Sequence, residues 1–302
     1  MPEVRTIAVI GAGIMGRGIA HVAALGGYRT ILEDILPAAL RRAEDEIRGN
    51  LGKAVEIGKV KKDEADAAID RLEFATSLED AARQADMVIE AVPEEFDSKE
   101  EIFRLLDRIC RPGTVLASNT SSLSVTEIAG VTERPEHVVG MHFFNPVHKM
   151  RLIEIIRAAK TDDATLNAAV DVGRRMGKET VVINEAPGFI TSRINAMIGN
   201  EAFYMLEAGI ASAEDIDKAL KLGLNHPMGP FEMVDLVGLD TRLSILRYLH
   251  QTLGDKFRPA PLLEKYVADG RLGRKVGRGV FEYPEVLKLR EEDDRKRSAS
   301  SQ

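Results

Sequence analysis

The sequence has little cysteine, no tryptophan and few aromatic residues. Of its 302 residues, one is cysteine (Cys110), none is tryptophan and 5% are aromatic. A single cysteine excludes an internal disulfide and argues against a zinc site built from several thiolates. We therefore expect a reducing, cytoplasmic setting and no metal centre.

The chain also lacks an excess of positive charge and an uninterrupted hydrophobic run. Its net charge of −7 does not favour a nucleic-acid surface. The mainly apolar stretch 6–27 is interrupted by Arg17, His21 and several glycines, so it is not typical of a membrane span. We expect neither a nucleic-acid partner nor membrane insertion.

What the sequence does contain is a glycine-rich turn after a short β-branched run. Residues 6–10 predict a buried parallel strand, and Gly11-x-Gly13-x-x-Gly16 follows it at the start of a predicted helix. A second predicted strand, 29–33, ends at Asp34, about 20 residues further on. This is the dinucleotide fingerprint, in which glycines admit a pyrophosphate and the acid binds the adenine ribose.

The acidic residue also bears on the choice of cofactor. A carboxylate at Asp34 repels a 2′-phosphate, and no arginine follows it, which favours NAD over NADP. Glu33 stands next to Asp34, and the sequence leaves open that one of the two is a solvated strand end.

Strand and helix patterns alternate up to about residue 184. This alternation predicts an α/β fold with a mostly parallel, doubly wound sheet of the Rossmann type in residues 1–184. Two helices near 37–71 interrupt it as a helical arm, and an all-helical domain is predicted over 185–290. Residues 291–302 are charged and serine-rich, which is typical of a flexible tail.

The arm carries a charge opposite to that of the whole chain. Residues 41–62 hold seven basic and four acidic side chains, a net charge of +3. An anion-binding arm and an ordinary solvated helix face both explain this pattern.

An oxidoreductase that acts on an alcohol needs a base for the hydroxyl proton, and histidine titrates nearest to neutral pH. His142 ends a predicted strand, and Glu154 lies on the next strand. If the two strands are neighbours, the carboxylate orients the imidazole. Spacing alone leaves open that His142 is a hydrogen-bonded core residue.

Two exclusions narrow the class of enzyme. None of the five tyrosines has a lysine four residues later, so the short-chain type of Tyr-x-x-x-Lys site is absent. The predicted helix over 188–209 contains no lysine, which argues against hydroxyacid dehydrogenases that use a lysine there.

Together the motifs resemble the L-3-hydroxyacyl-CoA dehydrogenase family, and 3-hydroxybutyryl-CoA dehydrogenases in particular, over residues 5–284. The motifs that carry the resemblance are Gly11-Ala12-Gly13-Ile14-Met15-Gly16, Ala117-Ser118-Asn119-Thr120-Ser121-Ser122, His142-Phe143-Phe144-Asn145-Pro146, Pro187-Gly188-Phe189, Pro227-Met228-Gly229-Pro230-Phe231 and Gly273-Arg274-Lys275. The resemblance implies an NAD-dependent enzyme of fatty acid metabolism and β-oxidation that acts on acyl-CoA, and a homodimer formed through the helical domain.

The resemblance also assigns roles to individual residues. His142 is the implied base, Glu154 its partner and Ser121 the hydrogen-bond donor to the substrate 3-oxygen. The implied cofactor contacts are Gly11, Gly13, Ile14, Met15, Gly16, Asp34, Glu94, Lys99 and Asn119. The implied substrate contacts are Ser121, Asn119, Ser192, Lys53 and Lys59.

The sequence departs from the family pattern at two places. Ser192 stands where the family often has asparagine, and His148-Lys149 replace a segment that commonly contains proline. Three hypotheses follow: a short-chain 3-hydroxyacyl-CoA dehydrogenase, a dehydrogenase of a free hydroxy acid or sugar acid, and a non-catalytic NAD-binding relative.

Overall fold

A computed structural model describes residues 3–288 of the chain. The chain divides into two compact units, the first ending at Phe189 and the second beginning at Ile190. The predicted domain boundary at 184/185 lies five residues before this division. The predicted tail, residues 291–302, lies outside the described residues.

Unit 1 is built on one eight-stranded sheet with the order β3-β2-β1-β4-β5-β6-β7-β8. Its strands are β1 (Thr6–Ile10), β2 (Arg29–Glu33), β3 (Leu72–Ala75), β4 (Met87–Glu90), β5 (Val115–Ser118), β6 (Val138–Phe143), β7 (Leu152–Arg157) and β8 (Glu179–Asn184). Neighbouring strands run parallel except β6 and β7, which are antiparallel. The predicted mostly parallel, doubly wound sheet is confirmed.

Helices cover the sheet and connect its strands. They are α1 (Ile14–Leu25), α2 (Pro37–Glu56), α3 (Lys62–Asp70), α4 (Leu78–Ala82), α5 (Phe96–Ile109), α6 (Val125–Gly130) and α7 (Asp163–Arg175). The central strands β1, β4, β5 and β6 are buried at every residue and contribute to two apolar clusters of unit 1, whereas β3 and β8, at the two ends of the sheet, are only partly buried. Because apolar residues fill both faces of the central strands, β1 and the strands near it appear in the sequence as nearly continuous apolar runs.

The arm, formed by α2 and α3, packs its inner face onto unit 1. Ala43, Ile47 and Leu51 of α2 are buried, and they belong to the same cluster as Ile19 and Ala23 of α1. Their i, i+4, i+8 spacing places them on one side of the helix. Charged residues such as Lys53 and Lys59 are therefore left outside this buried face, whereas Glu46 pairs with Arg17 of α1 at 2.7 Å.

Unit 2 is helical, as predicted, in the part that the structure describes. Its helices are α8 (Thr191–Glu207), α9 (Ala213–Gly223), α10 (Pro230–Val237), α11 (Leu239–Leu253) and α12 (Pro261–Ala268). Their core includes Phe203, Phe231 and Leu246. The apolar spacing of residues 232–253 predicts one continuous helix, and this is wrong, because Gly238 has a φ of +106° and ends α10 before α11 begins.

No helix among residues 3–288 has the length and hydrophobicity needed to cross a bilayer.

Candidate active site

The glycine-rich turn between β1 and α1 has the geometry that a dinucleotide requires. Gly11 has a φ of +96°, and a β-carbon there would lie 2.9 Å from the carbonyl oxygen of Ala91. A β-carbon on Gly16 would collide with the carbonyl oxygen of Gly11. A β-carbon on Gly13 would meet nothing within 4 Å, which leaves open space before the N-terminus of α1. The turn can therefore admit a pyrophosphate at Gly13 and packs tightly elsewhere.

Asp34 follows β2 and is tied to this turn. Its Oδ2 accepts a hydrogen bond from the backbone N–H of Ala12, and Oδ1 accepts one from Leu36, both at 2.9 Å. Glu33 is 4% exposed, and burial, with Asp34 adding to it, raises the pKa of Glu33 to about 7. Glu33 is therefore not a solvated strand end, and Asp34 is placed beside the turn that would hold the cofactor.

His142 and Glu154 face each other across β6 and β7. They are register partners in the antiparallel pair, and His142 Nδ1 lies 2.8 Å from Glu154 Oε2. The two residues are 6% and 1% exposed. Because an ionised carboxylate only accepts hydrogen bonds, Nδ1 carries the proton and Nε2 is the ring atom able to take one from a ligand.

The structure therefore confirms that the two strands are neighbours. Phe144 packs against the His142 ring with a centroid distance of 4.4 Å, and Phe189 does so at 5.7 Å. These rings restrict the imidazole and surround it with apolar surface.

Asn119 links the histidine strand to the middle of the sheet. Its Oδ1 accepts a hydrogen bond of 3.0 Å from the backbone N–H of Phe143, and its own N–H donates to the carbonyl oxygen of Glu90 at 2.9 Å. β5, which precedes Asn119, and β6 are parallel neighbours, so their carboxyl ends lie at one edge of the sheet. The glycine turn lies at the same edge, and the carboxyl end of β6 is three strand spacings, roughly 14 Å, away from it.

Glu94 organises the turn that contains Ser121. Glu94 Oε1 accepts hydrogen bonds from Thr120 Oγ1 at 2.6 Å, from the N–H of Ser121 at 2.7 Å and from that of Ser122 at 3.1 Å. Although burial opposes it, the charge of Lys99 and these hydrogen bonds hold the pKa of Glu94 below its usual value. Lys99 is 1% exposed and its ammonium group faces two carboxylates.

A cavity of about 240 Å³ lies between α1, α2 and the segment after β6. Its lining includes Arg17, Asn50, Asn145 and His148. His148 stacks on His21 with a centroid distance of 5.6 Å. His148 thus lines this cavity.

The sequence motifs did not predict that Arg17 and Asn50 line this cavity. Their positions alone could have suggested it, because Arg17 lies one helical turn after Gly13 and Asn50 lies on the arm. Only the packing of α1 against α2 shows that both reach one cavity.

The remaining residues of the predicted site lie on α1, on and after α2, and on α8. Ile14 begins α1 and is 59% exposed, and Met15 follows it. Lys53 lies in the last turn of α2 and Lys59 just after it, both exposed. Ser192 lies in the first turn of α8 in unit 2.

Comparison with known proteins identifies the family of the chain. Two family models match consecutive parts of the chain: "3-hydroxyacyl-CoA dehydrogenase, NAD binding domain" over residues 6–186 and "3-hydroxyacyl-CoA dehydrogenase, C-terminal domain" over residues 188–283. The chain belongs to the 3-hydroxyacyl-CoA dehydrogenase family. It is an NAD-dependent oxidoreductase, and the open space at Gly13 fits that cofactor.

Relatives of this dehydrogenase are similar along nearly their whole length. A probable 3-hydroxybutyryl-CoA dehydrogenase of Bacillus subtilis is 47% identical over 94% of this chain and 99% of its own. A 3-hydroxybutyryl-CoA dehydrogenase of Bradyrhizobium diazoefficiens is 45% identical over 93% and 96%. The crystal structure of (S)-3-hydroxybutyryl-CoA dehydrogenase from Ralstonia eutropha superposes with a TM-score of 0.90, at 40% identity over 93% and 99% of the two chains. The family predicted from the motifs is therefore confirmed.

Proposed function

We propose that this dehydrogenase oxidises a short-chain (3S)-3-hydroxyacyl-CoA, such as 3-hydroxybutyryl-CoA, to the 3-oxoacyl-CoA, or catalyses the reverse reduction. The observation that carries the proposal is the 2.8 Å contact between His142 Nδ1 and Glu154 Oε2 at the edge of an NAD-binding sheet. The names and high identity of the relatives support a four-carbon substrate.

In this proposal His142 is the general base. Its Nε2 takes the proton from the substrate 3-hydroxyl, and Glu154 stabilises the imidazolium that results. NAD, when bound, accepts the hydride from the substrate C3. In the reductive direction the imidazolium returns the proton to the 3-oxygen.

Neighbouring residues orient the substrate and the cofactor. Ser121 lies on the turn held by Glu94, and its hydroxyl, which lies 3.2 Å from Glu94 Oε1, turns from that carboxylate to donate a hydrogen bond to the substrate 3-oxygen. Asn119 contacts the nicotinamide or the substrate. The glycine turn binds the pyrophosphate and Asp34 binds the adenine ribose. Lys99 belongs to the cofactor site through its contact with Glu94.

The coenzyme A part of the substrate is assigned to the arm. Lys53 and Lys59 are exposed on a segment of net charge +3 and would attract its phosphates. Ser192 is the substrate-contacting residue assigned to unit 2.

We also propose a cytoplasmic homodimer that acts in fatty acid β-oxidation. Large apolar side chains of unit 2 are exposed, among them Ile194, Leu222, Leu224 and Leu236, which are 51–77% exposed. Light scattering coupled to size-exclusion chromatography tests the dimer, and a mass of about 33 kDa, that of one chain, would refute it.

The experiment for the catalytic proposal follows NADH absorbance with acetoacetyl-CoA for the unaltered protein and for His142→Gln. We expect turnover by the unaltered protein and a loss of several orders of magnitude in the variant. An equally active variant would remove His142 from the mechanism. Equal rates with acetoacetate and its CoA ester would favour a free hydroxy acid as substrate, and NADH binding without turnover would favour a non-catalytic role.

A further inference from the structure

A buried ion pair lies behind the proposed substrate turn. Glu90 and Lys99 are 0% and 1% exposed, and Lys99 Nζ lies 2.7 Å from Glu90 Oε1. Lys99 Nζ also lies 3.2 Å from Glu94 Oε2. The mechanism above gives no role to Glu90, although a buried charge without a function is costly to retain.

Glu90 is fixed by its place at the end of β4. Its Oε1 accepts a hydrogen bond of 2.7 Å from the N–H of Val92, and its Oε2 accepts one of 2.7 Å from Ser118 Oγ. Burial raises the pKa of Glu90 above its usual value, and the nearby ammonium of Lys99 opposes this rise. The carboxylate is thus anchored to two neighbouring strands, β4 and β5.

Lys99 transmits this anchoring to Glu94. The two carboxylate oxygens of Glu94 make different contacts. Oε2 faces Lys99, and Oε1 accepts hydrogen bonds from Thr120, Ser121 and Ser122. The position of Glu94 is therefore set by Lys99 on one side and by the serine turn on the other.

We propose that Glu90 is a positioning residue for the dehydrogenase reaction. It holds Lys99, Lys99 holds Glu94, and Glu94 holds the turn that presents the hydroxyl of Ser121 to the substrate. Without the charge of Glu90, the only carboxylate left to Lys99 among the described residues is Glu94. Lys99 then draws Glu94 away from the turn. The inference rests on the substrate role of Ser121 proposed above.

The test compares Glu90→Gln with the unaltered, full-length protein at 25 °C. The glutamine keeps the size of the side chain and removes its charge. We expect kcat with acetoacetyl-CoA to fall about 100-fold, as a misplaced catalytic group requires, while the Kd of NADH measured by fluorescence rises by a much smaller factor, because the glycine turn and Asp34 still bind the rest of the cofactor. Glu101→Gln, at an exposed position of the same helix, is the matched control and should keep the kcat of the unaltered protein.

A double-mutant cycle separates positioning from a general loss of structure. Lys99→Met removes the same link from its other end, so Glu90→Gln combined with Lys99→Met should lose no more activity than the worse single variant. Ser118→Ala, which removes one hydrogen bond to Glu90 and no charge, should lower kcat by a smaller factor. It supplies the test if Glu90→Gln does not fold.

The results distinguish this inference from the proposed function. Turnover of acetoacetyl-CoA by the unaltered protein tests the function, and the ratio of variant to unaltered kcat tests Glu90. A Glu90→Gln protein with a lower melting temperature but an unchanged kcat would overturn the positioning role, and so would multiplicative losses in the cycle.

Discussion

His142 lies opposite Glu154 because β6 and β7 run in opposite directions. Directly opposed residues of an antiparallel pair project to the same face of the sheet, so their side chains meet without help from a loop. Both lie in an apolar setting, where a hydrogen bond to a charged group is stronger than at the surface.

Exchange of the carboxylate should affect turnover more than binding. We expect Glu154→Gln to lower kcat by about three to four orders of magnitude, because an amide can stabilise the wrong imidazole tautomer and cannot stabilise imidazolium. The Kd of NADH should stay within a few-fold of the unaltered value. Steady-state kinetics and a fluorescence titration measure the two quantities. Glu179→Gln, an exposed residue at the start of β8, is the control, and an equally large loss there would refute the assignment.

His21 predicts a pH dependence of stability. Burial, with His148 and Lys178 adding to it, lowers the pKa of His21 from 6.5 to about 4. The unfolded chain therefore binds a proton between pH 6.5 and 4 that the folded protein does not, and stability falls as the pH falls through this window. At pH 4 this amounts to about 3 kcal/mol.

Urea unfolding at pH 7.5 and pH 4 measures this effect. Between these values the free energy of unfolding should drop by about 3 kcal/mol more in the unaltered protein than in His21→Gln. The difference between the two proteins at pH 7.5 gives the cost of the exchange itself. Parallel pH profiles would show that His21 does not contribute.

At the scale of elements, the glycine turn meets two requirements, close packing of the backbone and space for a ligand. Gly11 and Gly16 are in close contact with backbone, whereas Gly13 faces open space. The first two positions therefore serve packing, and the third serves the ligand.

Alanine at Gly16 and at Gly13 should separate these demands. Gly16→Ala forces the backbone of the turn apart. We therefore expect the free energy of unfolding to fall by about 1–3 kcal/mol and NADH binding to be weakened as well. Gly13→Ala should keep the melting temperature within a few degrees and still weaken NADH binding by tenfold or more, because its methyl group points where the pyrophosphate approaches. Thermal denaturation and NADH titration measure both, and equal stability of the two variants would contradict this division.

Most elements could be predicted from periodicity and turn residues. The strand Thr6–Ile10 and the following helix were predictable because their patterns are local. The break at Gly238 was not, because apolar residues continue at helical spacing on both sides of it. The antiparallel direction of β7 was not predictable either, since the strand pattern of residues 152–156 is the same in both directions.

The site was predictable only in part for the same reason. His142, Ser121 and Asp34 stand in recognisable motifs, whereas the roles of Glu90 and Asn50 depend on what packs against them. Glu90 reads in the sequence as the end of a buried strand, and only the contact with Lys99 shows where its charge is used.

At the scale of the whole molecule, charge is unevenly distributed. The chain has a net charge of −7, and residues 41–62 have a net charge of +3. A positive segment on a negative protein attracts an anionic ligand to one place, and salt weakens this attraction.

The distribution predicts a dependence on the phosphates of the substrate. Lys53→Glu combined with Lys59→Glu should raise the KM for acetoacetyl-CoA about tenfold at low salt and less at 0.5 M salt. The KM for acetoacetyl-N-acetylcysteamine, which lacks the phosphates, should change little. Lys218→Glu, an exposed change in unit 2, is the matched control. An equal rise in KM for both thioesters would show that the two lysines do not bind the phosphates of coenzyme A.

The reversal between β6 and β7 has a consequence for how the protein loses activity. Only 12 residues separate His142 from Glu154, whereas Gly11 depends on Ala91, from a distant part of the chain. A contact closed by a short hairpin survives partial opening better than one that joins remote segments. In mild denaturant the glycine turn should therefore lose its structure before the His142–Glu154 pair does. The acid–base pair would then still be formed, but no hydride acceptor would be bound beside it.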